Sequence, residues 1–179
     1  EKGVGVRTDW CRHVLAAVLL IFVGSAVAGA QDRDFVPVTD AMLEDPAAGD
    51  WLTWRRTPNG WGYSPLDQIT ADNVTTLEPV WSLSTGVTEG HEAPPMVNDG
   101  MMFIATPQNQ VIAVDARTGE LLWQLVVPKL GAGKVSDWEY LGICSSPTVE
   151  GNRVYIVSNR CEILCHKAAQ PRTARDRIS

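Results

Sequence analysis

No Cys-x-x-Cys or His-x-x-x-His spacing occurs in these 179 residues, which removes the common structural zinc sites. An excess of base is also missing: 15 Lys and Arg stand against 21 Asp and Glu, a formal net charge of −6. An acidic body has no electrostatic footprint for nucleic acid or an anionic membrane. A phosphate loop is absent. Leu130-Gly131-Ala132-Gly133-Lys134 has Pro128 where the first glycine would stand and Val135 where Ser or Thr would follow. Nor is there an apolar run of membrane-spanning quality. The one candidate, residues 14–30, follows Arg7 and Arg12 and turns to small residues at its end, Ala28-Gly29-Ala30. A span needs about 20 apolar residues. This pattern predicts a signal peptide over residues 1–30, cut after Ala30, and no stable membrane anchor. No cysteine follows the small residues, so a lipid anchor is not indicated.

What is present is short, apolar and punctuated. Ala93 to Val97 and Met101 to Thr106 are two apolar runs split by Asn98-Asp99-Gly100. A third run leads through Ala113-Val114-Asp115-Ala116-Arg117-Thr118-Gly119 into Glu120-Leu121-Leu122-Trp123. Asn/Asp/Gly turns between short strands predict one four-stranded antiparallel meander. Sliding the chain by 52 positions lays Pro95 on Pro147, Val97 on Val149, Met102 on Val154, Phe103 on Tyr155 and Val111 on Ile163. A period near 50 with four short strands per unit is the mark of a propeller blade. The chain is therefore expected to be all-β, with about one and a half four-stranded blades of a partial β-propeller over residues 81–165. In the docking turn, Asp115 and Thr118 can bond turn amides and Gly119 supplies a left-handed backbone. The tryptophans are expected to pack rather than to bind a ligand, each indole wedged between neighbouring sheets.

Ala113-x-Asp115-x-x-Thr118-Gly119-x-x-x-Trp123 resembles the tryptophan-docking motif of the alcohol dehydrogenases that depend on pyrroloquinoline quinone (PQQ). Asp50-Trp51-Leu52-Thr53-Trp54-Arg55-Arg56 and Gly62-Tyr63-Ser64-Pro65-Leu66-Asp67-Gln68-Ile69 are similar to their N-terminal region. So are Asn73-Val74, Leu77, Trp81 and the stretch Gly90-His91-Glu92-Ala93-Pro94-Pro95. The resemblance implies an eight-bladed ring holding PQQ with calcium, an alcohol substrate, an electron acceptor such as a cytochrome c, and a periplasmic location. It implies a glutamate against the quinone at the motif position of Glu92, with His91 facing solvent. The calcium ligands and the catalytic aspartate of that family lie on later blades, so no catalytic or metal-binding residue is expected here, and the chain by itself is expected to be inactive. Two features depart from the pattern. The family typically has a vicinal Cys-Cys pair followed by an arginine before the second blade, whereas residues 137–147 hold Cys144 alone and no arginine. A second reading therefore stays open, a non-catalytic PQQ-repeat propeller serving as a binding scaffold in the cell envelope.

The remaining segments are less informative. Residues 31–80 form a leader with one expected helical turn, Asp40 to Glu44, stopped by Pro46. Cys144, Cys161 and Cys165 remain after the signal. Their spacing allows a Cys144–Cys161 bridge and equally allows three free thiols. Cys161 and Cys165 on one extended strand would stand roughly 13 Å apart, too far for a disulfide. After Cys165 the character changes: residues 166–179 carry four bases and one acid, against eight and eighteen in residues 31–165. Mass spectrometry of the exported protein should find Gln31 as its first residue. Retention of residues 14–30 would show an anchor instead.

Overall fold

The structure, a computed structural model, describes residues 35–129 and 141–169. The expected signal peptide, residues 130–140 and the last ten residues of the basic tail lie outside them. Strands β1 (Met96–Asn98), β2 (Met101–Ala105), β3 (Gln110–Asp115) and β4 (Leu121–Val126) form one antiparallel sheet in chain order. Strands β5 (Thr148–Glu150), β6 (Arg153–Val157) and β7 (Ile163–Lys167) form a second. The expected partial β-propeller is thus what the chain builds.

Each turn follows from its residues. Asp99 and Gly100 both take positive φ, 46° and 73°, the backbone that a two-residue hairpin needs to match strand twist. Asp115 Oδ1 accepts from the amides of Arg117 (2.8 Å) and Thr118 (3.0 Å), and Thr118 Oγ1 accepts from Glu120 N. Gly119, at φ 73°, then returns its amide to Asp115 O. These are the roles read from the motif.

The 52-residue repeat holds down to single bonds. Thr106 N donates to Gln110 O, and Ser158 N donates to Glu162 O. Asn109 and Cys161 both sit at positive φ, 55° and 60°. Ala116 N bonds Gly100 O, and Ala168 N bonds Asn152 O. Val154 pairs with His166 as Met102 pairs with Val114. The side chains after Cys165 differ from those of the first copy, yet the backbone keeps its course through Ala168.

Trp123 joins the two sheets. Its ring is buried, packs 5.9 Å from Phe103 and 4.8 Å from the His166 ring, and its Nε1–H donates to Ala168 O at 2.7 Å. Trp81 does the same one step earlier, donating to Ala116 O at 3.0 Å. A Cβ on Gly119 would stand 2.7 Å from the Trp81 ring, so the glycine is also a seat for that indole. Trp81 reaches this seat from a segment with no strand of its own.

The leader fastens the turn ends of both sheets. Val38 exchanges two backbone bonds with Gly151, Trp51 exchanges two with Val97, and Asn98 Nδ2 donates to Val36 O. The helical turn forms as α1 (Asp40–Glu44), with the Thr39 hydroxyl accepting from Met42 N. Not every tryptophan packs as expected: Trp54 is 58% exposed and Trp61 78%. From Thr57 to Val80 the side-chain hydrogen bonds are local, such as Thr57 to Asn59 and Asn73 to Gln68. An indole there meets no second sheet. Trp54 instead carries the Arg55 guanidinium 4.5 Å above its ring.

Burial therefore sorts the tryptophans by energy. Trp123→Ala should cost about 3–5 kcal/mol, and Trp61→Ala less than about 0.5 kcal/mol, in urea unfolding. Equal losses would mean that the indole of Trp123 is not wedged between sheets.

Candidate functional site

The approach to β1 runs from Thr85 to Pro95 and is ordered by its own polar side chains. Thr85 Oγ1 and His91 Nε2 lie 3.2 Å apart, and His91 Nδ1 lies 3.1 Å from Glu89 O. The imidazole is exposed and tied to its own loop, as expected for a solvent-facing residue. Gln108 Nε2 donates to Glu89 Oε1, and Lys129 Nζ reaches Gln108 Oε1 at 3.5 Å. Glu89, held first by its own backbone amide and then by Gln108 and the Lys129 charge, titrates below the ordinary carboxylate range.

Glu92 is exposed at the end of this loop, just before Ala93 turns inward. Its neighbour is a residue from the other sheet. The approach to β5, residues 141–147, brings half-buried Cys144 within electrostatic reach of the Glu92 carboxylate, while its thiol donates to Gly142 O at 3.7 Å. Burial first, and then Glu92, push the Cys144 thiol up, with Lys129 opposing. Ser146 Oγ donates to Pro94 O at 2.9 Å on the same seam.

Sequence reasoning placed Glu92 but not its partner. The signal was available: Glu92 and Cys144 are 52 positions apart, as are Pro94 and Ser146. Approaches to the first strands of adjacent sheets converge, so equivalent positions of successive repeats become neighbours there. The thiols of Cys144, Cys161 and Cys165 are all free. Cys161 lies in the β6–β7 turn rather than on a strand, and the expected alternative of a Cys144–Cys161 bridge is not formed. Pro94 and Pro95 also line a hollow of about 590 Å³ with Trp51, Trp54 and Arg55. Among the described residues no three His, Cys, Asp or Glu side chains converge as a metal site would require.

This geometry meets known proteins over most of the described chain. Residues 51–169 match the family described as PQQ, the glucose/ethanol/alcohol dehydrogenase β-propeller domain. The chain belongs to this family. The dehydrogenase subunit of a quinone alcohol dehydrogenase from Gluconacetobacter polyoxogenes is 44% identical over 122 residues, which are 66% of this chain and 16% of that protein. Subunit 1 of a cytochrome c methanol dehydrogenase from Paracoccus denitrificans is 42% identical over 120 residues, 66% of this chain and 19% of that protein. The crystal structure of a quinohemoprotein alcohol dehydrogenase from Comamonas testosteroni superposes with a TM-score of 0.65 at 29% identity, covering 73% of this chain and 20% of that one. This PQQ-family chain thus covers 16% and 19% of the two dehydrogenase subunits and 20% of the crystallised enzyme.

The raised thiol has a consequence for stability. A group whose folded pKa lies above its unfolded value contributes fully below the unfolded value and loses that contribution as pH rises through the folded one. The stability of the folded sheets should therefore decline as pH climbs from the ordinary thiol value of about 8.5, and Cys144→Ser should flatten that decline in urea midpoints measured against pH. A decline unchanged in Cys144→Ser would remove the thiol from its cause.

Proposed function

We propose that this chain is the N-terminal part of an exported, periplasmic dehydrogenase that oxidises an alcohol with PQQ as cofactor. The observation that carries this reading is the match of residues 51–169 to the PQQ family, within which Glu92 is exposed on the approach to β1. PQQ, when bound, supplies the hydride acceptor. The residues here fit a contact with such a group. An exposed carboxylate on an ordered loop accepts hydrogen bonds from a ring laid against it. Lys129, near enough to influence both Glu89 and Cys144, leaves the carboxylates of this end partly balanced.

The roles of these side chains are to bind and orient. Glu92 accepts a hydrogen bond from the cofactor, and Cys144 stays protonated beside it at neutral pH. Gln108 and Glu89 fix the loop on which Glu92 stands. The described residues do not supply a calcium site by themselves, since six or more oxygen ligands are needed in one place. Calcium and the base that takes the alcohol proton are assigned to the part of the polypeptide that corresponds to later blades. A cytochrome c is the proposed acceptor, on the precedent of the methanol dehydrogenase relative.

The test uses the full-length polypeptide that carries these residues, titrated with PQQ and assayed for dye-linked alcohol oxidation. Glu92→Gln should weaken PQQ binding about tenfold, the size of one charge-assisted hydrogen bond, with the fold intact by circular dichroism. Unchanged PQQ affinity in Glu92→Gln would overturn the role of Glu92. Absence of any PQQ binding by the parent polypeptide would leave the scaffold reading in its place.

A further inference from the structure

The seam that brings Cys144 to Glu92 is held by two asparagine side chains. Asn109, fully buried, donates from Nδ2 to Asn159 Oδ1 at 2.7 Å, so the β2–β3 turn is bonded to the β6–β7 turn. Asn159 in turn donates from Nδ2 to Leu141 O at 3.2 Å. Leu141 opens the segment that carries Cys144 three residues later. The backbone of Asn109 serves the same end, because its carbonyl accepts from Val127 N at 2.9 Å and so sets the stretch leading to Lys129.

The contact at this point is tight. A Cβ on Gly142 would stand 2.2 Å from Pro107 O and 2.7 Å from Asn109 Oδ1. Only a glycine lets residues 141–144 lie so close to the first sheet. Asn109 Oδ1 is buried and has no hydrogen-bond partner among the described residues, a cost that the packing of this turn imposes. Asn109 also needs its left-handed φ of 55°, a conformation that asparagine tolerates better than most residues.

We propose that Asn109 and Asn159 are positioning residues for the Glu92 end of the molecule, holding residues 141–146 against the approach to β1 so that Cys144 stays within reach of the Glu92 charge. The link rests on the reading of Glu92 given above only for its functional meaning. Its geometry is independent of any cofactor. Without the amide pair, the approach to β5 keeps the Ser146–Pro94 bond but loses the tie to Leu141 O, and the thiol moves away from the Glu92 charge.

The experiment reads the thiol rather than turnover. In the full-length polypeptide, the rate of Cys144 alkylation by iodoacetamide is followed against pH by peptide-resolved mass spectrometry. The charged groups acting on that thiol are Glu92 and Lys129. Asn159→Ala should move the alkylation profile to lower pH and raise the rate several-fold near neutrality. Adding Glu92→Gln to Asn159→Ala should then change nothing more, whereas Glu92→Gln alone should shift the parent profile. Asn98→Ala removes a different buried asparagine bond, to Val36 O, and should leave the Cys144 profile in place.

Should Asn159→Ala fail to fold, Asn159→Ser keeps a polar side chain too short for the two amide bonds, adds no charge near the thiol, and should give the same shift. A parent-like profile in the folded variant, or an equal shift in Asn98→Ala, would overturn the positioning role. A shifted profile in Asn159→Ala beside unchanged PQQ affinity in Glu92→Gln would sink the cofactor reading and leave the positioning role standing.

Discussion

An indole N–H given to a backbone carbonyl of the next sheet is the bond on which this structure depends. A sheet of short strands gains stability only through the apolar face that it buries. Trp123 adds such a contact: one large face packed on Phe103 and His166, with its single polar atom satisfied by Ala168 O. A buried indole without that acceptor would carry an unpaired donor, so geometry and burial have to be met together. The same device recurs between Trp81 and Ala116 O, where Gly119 supplies the flat seat. One apolar core runs through both sheets, from Phe103 and Val111 to Val149, Val154 and Ile156, and the repeated indole bond fixes how one sheet meets the next.

From that arrangement the candidate site follows. Once the sheets are docked along their outer strands, the approaches to β1 and β5 are brought side by side, with Ser146 bonded to Pro94 O and Glu92 within electrostatic reach of Cys144. The two asparagines and Ser146 fix this end at a finer scale than the tryptophans do. Stability and site are therefore separate layers. The indoles and the shared apolar core join the sheets, and the asparagine amides bond the turn of one sheet to the turn and the approach segment of the other. Membership of the PQQ dehydrogenase β-propeller family gives this end its meaning.

Much of the fold was legible because its signals are local. Asn98-Asp99-Gly100 and Asp115 to Gly119 state their turns through residue chemistry, and the 52-residue offset states that the second sheet copies the first. The same offset contained the pairing of Glu92 with Cys144. It stayed hidden because periodicity identifies equivalent positions without saying which of them touch. Trp54 and Trp61 were not legible as exposed residues, since an indole in a tryptophan-rich segment looks the same whether or not a sheet stands opposite. Asn109 was hidden for another reason: its role depends on a contact with Asn159 in another sheet, made possible by the missing side chain of Gly142.

Hydrogen exchange of the indole N–H protons, read one by one in a 15N-tryptophan NMR spectrum, addresses the docking bond most directly. Trp123 Nε1–H, bonded to Ala168 O beneath a buried ring, should exchange far more slowly than Trp61 Nε1–H, which faces water. Exchange at Trp123 as fast as at Trp61 in the folded protein would contradict a fold assembled sheet upon sheet through its tryptophans.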